Sequence, residues 1–68
     1  MSKTVTGVFD SIDKARNAKD DLVSTGIPRE KVYLDNETNQ VKVITPAETE
    51  AEILEVLNRH EPTQVTST

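Results

Sequence analysis

The sequence predicts an α+β fold in the order β-α-β-β-α-β, one antiparallel sheet with two helices on one face. Three observations carry that expectation. A β-branched run, Thr4 to Phe9, leads into a helical pattern that stops at Gly26-Ile27-Pro28. A second run, Gln40 to Ile44, leads into a second helical pattern that stops at Pro62. Between them, two alternating segments flank the turn-rich Asn36-Glu37-Thr38-Asn39, the mark of a hairpin. Two βα units joined by a hairpin give the ferredoxin-like split βαβ sandwich, with sheet order 4-1-3-2. Right-handed crossovers then place both helices on one face. Strands one and three are expected at the centre and parallel to each other.

Strand one is expected over residues 4–9, where Thr, Val and Phe suit a half-buried pleated surface. Gly7 interrupts it. A glycine inside a strand marks a bulge or a close approach by another backbone, side chain or ligand. Here a tightly packed helix and a bound ligand are the two readings. Val5, Gly7 and Phe9 share one face, and Thr4, Thr6 and Val8 the other. The only Phe belongs in the core, which puts Val8 outside.

The first helix starts at Asp10 or Ser11, either of which can accept from free N–H groups, with Asp13 adding charge to the first turn. Ile12, Ala15, Ala18, Leu22 and Val23 recur at helical spacing and form its apolar face. Asp10–Lys14 and Arg16–Asp20 are spaced for ion pairs. Gly26 supplies the left-handed position after the helix, Ile27 closes the hydrophobic contact of that cap, and Pro28 forbids continuation.

Residues 31–35 alternate as strand two, with Val32 and Leu34 on one face and Tyr33 on the other. The DNETN segment lacks the glycine and distal glutamate of a calcium loop. Residues 40–44 form strand three, with Val41 and Val43 on one face and Lys42 and Ile44 on the other. Thr45-Pro46-Ala47-Glu48 reads as a helix start, with Thr45 as cap, Pro46 first in the helix and Glu48 completing a capping box. Ala47, Ala51, Leu54 and Leu57 make the expected inner stripe, widened by Ile53, with Val56 at its margin. Glu48, Glu50, Glu52 and Glu55 form a solvated charge run. His60 falls in the last turn as a cap or surface residue. Residues 62–68 are a short edge strand or a frayed tail.

A shift of 35 matches Asp10 with Thr45, Asp13 with Glu48, Ala18 with Ile53 and Leu22 with Leu57. It is the internal pseudo-twofold this fold would show. It also matches Phe9 with Ile44, which would turn Phe9 outward, against its preference for the core.

Composition narrows the function. The 68 residues are one small domain, 1–68, with a modest core. There is no cysteine and one histidine, so neither disulfide nor metal is expected to reinforce it. Self-association is the reinforcement left, and a homodimer is expected. A net charge of −4 disfavours nucleic acid and anionic membrane, which reward clustered Lys and Arg. No signal peptide or spanning segment is read, so the cytoplasm is the expected location. No cofactor is implied, since Gly7 and Gly26 are too far apart to make a phosphate loop. No catalytic residues are assigned: His60 serves no visible nucleophile, and the paired carboxylates Asp20-Asp21 lie on a polar helix face.

Two candidate sites remain. Tyr33, Ile44 and Val8 on the uncovered sheet face are a possible interaction surface. Gly7, Asp10 and Ser11, at a strand-to-helix turn, are a possible ligand turn of a small-molecule regulatory module; a helix N-terminus favours an anion there, while Asp10 and Asp13 oppose one.

The run Thr6-Gly7-Val8-Phe9-Asp10-Ser11, followed by Ala15, Ala18, Leu22, Gly26-Ile27-Pro28 and Lys31-Val32, resembles the small domain of bacterial heat-induced general stress proteins. The resemblance covers roughly the first half of the chain. The second half, ITPAETEAEILEVLNRHEP, does not carry it. The family has no well-defined biochemical activity, so no functional residues carry over. The resemblance implies a bacterial, cytoplasmic, non-enzymatic domain linked to stress.

Overall fold

A computed structural model describes residues 2–68. Its elements are β1 (Ser2–Val8), α1 (Ile12–Ser24), β2 (Val32–Asp35), β3 (Gln40–Pro46), α2 (Glu50–Arg59) and β4 (Gln64–Ser67). Short 3₁₀ turns at Arg29–Lys31 and Ala47–Thr49 precede β2 and α2. The sheet runs β2-β3-β1-β4, the expected order read from the other edge.

Every neighbouring pair is antiparallel, including β1 with β3. That corrects the expected parallel centre. The crossover through α1 leaves β2 running with β1, and the hairpin then reverses the chain. β3 must therefore run against β1.

The core lies between the sheet and the helices. Val5, Val41 and Val43 from the sheet meet Ala15, Ala18 and Leu22 of α1 and Ile53, Val56 and Leu57 of α2. Phe9 is 2% exposed, so the only Phe is inside. Gly7 lies beneath Leu57: a Cβ there would sit 3.2 Å from Phe9 Cε1 and 3.3 Å from Leu57 Cδ2. The small residue lets α2 approach the sheet at this point.

α1 is built as its sequence announces. Ser11 caps it, accepting from the Lys14 N–H at 3.2 Å. At its end, the Ile27 N–H donates to Leu22 C=O and the Gly26 N–H to Val23 C=O, with Gly26 at φ 110°. This is the paired hydrogen-bond pattern of a Schellman cap. Lys14 pairs with Asp10 at 3.3 Å, as the spacing requires. Arg16 turns instead to Asp13, at 4.0 Å, one turn toward the N-terminus rather than to Asp20.

α2 departs from expectation at its start. Thr45 does not cap it. β3 continues through Pro46, and Thr45 is the next inward residue after Val41 and Val43, 2% exposed. Its hydroxyl donates to Thr49 Oγ1 at 2.9 Å. Pro46 is extended and ends the strand, a 3₁₀ turn follows, and α2 begins at Glu50 with no side-chain cap. The capping box at Thr45 and Glu48 therefore does not form. With the start displaced, the buried stripe is Ile53, Val56 and Leu57; Leu54 is half-buried and Ala51 is exposed.

The internal symmetry is also displaced. β1 begins at Ser2 and β3 at Gln40; α1 begins at Ile12 and α2 at Glu50. Both pairs are 38 apart, not 35. This offset matches Val5 with Val43, Ala15 with Ile53 and Ala18 with Val56, all buried. It releases Phe9 from Ile44, which explains how one is inside and the other outside.

Candidate functional site

The sheet has one covered face and one open face. Strand alternation places Val32, Leu34, Val41, Val43, Val5, Gly7 and Val65 under the helices. The other face carries rows that cross the strands. Tyr33, Lys42, Thr6 and Thr66 form one row. Asp35, Gln40, Val8 and Gln64 form the next, and Ile44 with Thr4 begins a third.

Tyr33 is 52% exposed and Ile44 36%, the large apolar side chains most open to solvent. Tyr33 faces Lys42, and Ile44 lies two residues farther along β3, so the two are diagonal neighbours. Val8 is also on this face and half-buried, but Gln40 and Thr6 separate it from them. The sequence placed all three on the open face; the structure groups only Tyr33 and Ile44.

Lys42 and Asp35 are the charged side chains in these rows, in a chain that is 29% charged. Threonine and glutamine fill most of the remaining positions. Asp35 Oδ1 accepts from the Glu37 N–H at 3.0 Å and the Thr38 N–H at 3.4 Å, which closes the hairpin turn. The Glu37 N–H, with Thr38 and the Lys42 charge, holds the Asp35 carboxyl below its ordinary range. Asn39, at φ 55°, completes the turn and accepts from the Phe9 N–H. Beside it an open groove of about 420 Å³ is lined by Tyr33, Asp35, Glu37 and Lys42, among others.

The candidate ligand turn is arranged differently. Leu57 and Phe9 cover Gly7. The Ser11 oxygen is engaged by its own helix. Asp10 is bound to Lys14, which also reaches Glu61 at 3.8 Å. Among the described residues, no buried side-chain polar atom lacks a partner, and no group of acidic, His or Cys side chains is placed to hold a metal.

Two features escaped sequence reasoning. His60 Nε2 lies 3.0 Å from Asp21 Oδ2, and Arg59 lies 3.7 Å from the same oxygen, fastening α2 to α1. No local spacing signals a contact between residues 39 apart. The other is the tie between α2 and β4, the edge strand that was one of the two readings of residues 62–68. β4 pairs with β1 on one side only, and Ser67 Oγ donates to Glu50 Oε2 at the start of α2. The absence of charge in Gln64–Ser67 was visible as a sequence signal.

No helix among the described residues is long and apolar enough to cross a membrane. No protein-family model, curated protein or solved structure matches the chain.

Proposed function

We propose that this chain is a non-enzymatic interaction domain of the bacterial cytoplasm that works as a homodimer through its uncovered sheet, by the open face or an edge strand. The observation that carries this reading is the uncovered sheet: Tyr33 and Ile44 lie exposed and diagonal to each other on its open face, and among the described residues no strand pairs with the outer side of β4. The described rows of that face carry one charge of each sign, Lys42 and Asp35, whereas α2 is acidic. Interface centres are depleted in charge and enriched in Tyr. A nearly neutral face also permits a second copy to approach without the self-repulsion that the Glu48, Glu50, Glu52 and Glu55 run would impose. The likeness of the first half to heat-induced general stress proteins supports a stress-associated role.

A small-molecule regulatory module is the weaker alternative, because Leu57 covers Gly7 and the Ser11 oxygen already caps its helix. Sedimentation velocity from low to high micromolar concentration tests the leading reading. A monomer-to-dimer transition is expected; a monomer throughout overturns it. Titration with metabolites, followed by amide shifts of Gly7, Asp10 and Ser11, tests the alternative.

A further inference from the structure

We infer that the second copy docks along the outer edge of β4, joining two sheets into one continuous sheet. This rests on the homodimer reading above and names the surface it uses.

The two edges of the sheet differ. β2, as short as β4, is bracketed by charge: Arg29, Glu30 and Lys31 precede it, and Asp35 ends it. Charged residues at an edge deter added strands. β4, Gln64–Ser67, has no charge and no proline, and no described element lies along its outer side. Its hydrogen-bonding groups are directional. Thr68 and Thr4 exchange both backbone bonds, at 2.9 and 3.0 Å. By alternation Thr66 also points to β1, so the N–H and C=O groups of Val65 and Ser67 point outward. An antiparallel second copy of β4, centred on Thr66, satisfies them reciprocally: Val65 of each copy bonds Ser67 of the other.

The layer above fits the same axis. α2 contacts α1 on one side, where His60 and Arg59 reach Asp21, and β4 on the other, where Glu50 meets Ser67. Helical spacing puts Leu54 on the Glu50 flank, over β4, half-buried, with Ala51 exposed at its margin. With strands about 4.8 Å apart, extension through β4 leaves the two β1 strands about 14 Å apart, so the α2 helices above β1 and β4 face each other across the axis at about 10–14 Å. Leu54 then faces its counterpart across the axis, with Ala51 exposed beside it. Glu50 is engaged by Ser67, and Glu52 and Glu55 point away from the axis.

The test uses the whole chain and three variants in sedimentation velocity. Ser67→Pro removes one outward N–H and keeps the Thr66 and Thr68 bonds to β1; it also removes the Ser67–Glu50 contact, so its loss of dimer counts only together with that of Ala51→Glu, which keeps the contact. Ala51→Glu, at an exposed helical position, brings like charges together across the axis without touching the core. Each is expected to weaken dimerisation at least tenfold. Tyr33→Ala, on the open face, is expected to leave it within about twofold. Amide exchange gives an independent readout: the Val65 and Ser67 amides of the parent protein should slow as concentration rises. If Ala51→Glu dimerises like the parent and those amides exchange at the same rate at all concentrations, the β4 interface is wrong. A dimer lost in Tyr33→Ala but kept in Ser67→Pro overturns the inference and leaves the homodimer standing. A parent protein that stays monomeric overturns both.

Discussion

At Gly7 the presence or absence of one carbon decides how closely α2 can sit. Its backbone is compatible with any residue, so the glycine is there for space rather than for φ. An added methyl would have to displace the edge of Phe9 and the end of Leu57, both buried. The reduced unfolded-state entropy of Ala gives back about 0.4–1 kcal/mol, and overpacking costs about 1–3. Gly7→Ala is therefore expected to destabilise by roughly 1 kcal/mol, read as a lower urea midpoint with an unchanged slope. A second prediction concerns Asp35. Its folded carboxyl titrates below the unfolded one because the Glu37 N–H, Thr38 and Lys42 favour the charged form. The stabilisation is thus fully present above the unfolded value, near 3.8, and is lost as pH falls through the folded value. The carboxyl resonance of Asp35 should show a midpoint below 3.8. Asp35→Ala should flatten the acid limb of the stability curve and loosen the hairpin. A midpoint at or above 3.8 would contradict the turn geometry.

α1 and α2 differ in where their boundary information resides. α1 carries it locally: Ser11 at the start, Gly26 and Ile27 at the end, each acting within a turn of its own residue. Gly26 takes φ 110°, where an L side chain is strained. Gly26→Ala is expected to destabilise by about 1–2 kcal/mol, measured by thermal or urea unfolding, although nothing packs on that carbon. A neutral result would mean that the cap relaxes without loss. The boundary of α2 was misread because its signal is tertiary. Thr45-Pro46-Ala47-Glu48 satisfies every local rule for a helix start, yet Thr45 is claimed by the inward face of β3, in line with Val41 and Val43. Burial of a threonine that finds Thr49 as partner outweighs a cap contribution of about 1 kcal/mol. The four-residue delay, from Pro46 to Glu50, goes with a buried stripe of Ile53, Val56 and Leu57; with α1 capped by Ser11 rather than Asp10, the repeat offset changes from 35 to 38. The hairpin and the open face were legible for the opposite reason: alternation in β2 and β3 needs no distant partner to be read, so Tyr33 and Ile44 could be placed from the sequence. The His60–Asp21 contact could not, because only the packing of α2 on α1 brings those residues together.

For the molecule as a whole, a small core makes association and stability inseparable. Its buried residues are mostly valine, leucine, isoleucine and alanine from single layers, and no disulfide reinforces them. A partner that binds only the folded chain stabilises it by mass action. For a dimer, the partner's concentration is the protein's own. The thermal midpoint of the parent chain should therefore rise with protein concentration, by about 10 °C over a hundredfold range above the dissociation constant. The midpoints of Ser67→Pro and Ala51→Glu should rise distinctly less over the same range. This comparison separates two effects that a single melting curve combines. A variant damaged in its own fold melts lower at every concentration but keeps the slope. A variant damaged only in the β4 interface matches the parent when dilute and falls behind as concentration rises. If the parent's midpoint does not depend on concentration while it sediments as a dimer, association is not coupled to folding. The core between the sheet and the two helices would then be sufficient by itself.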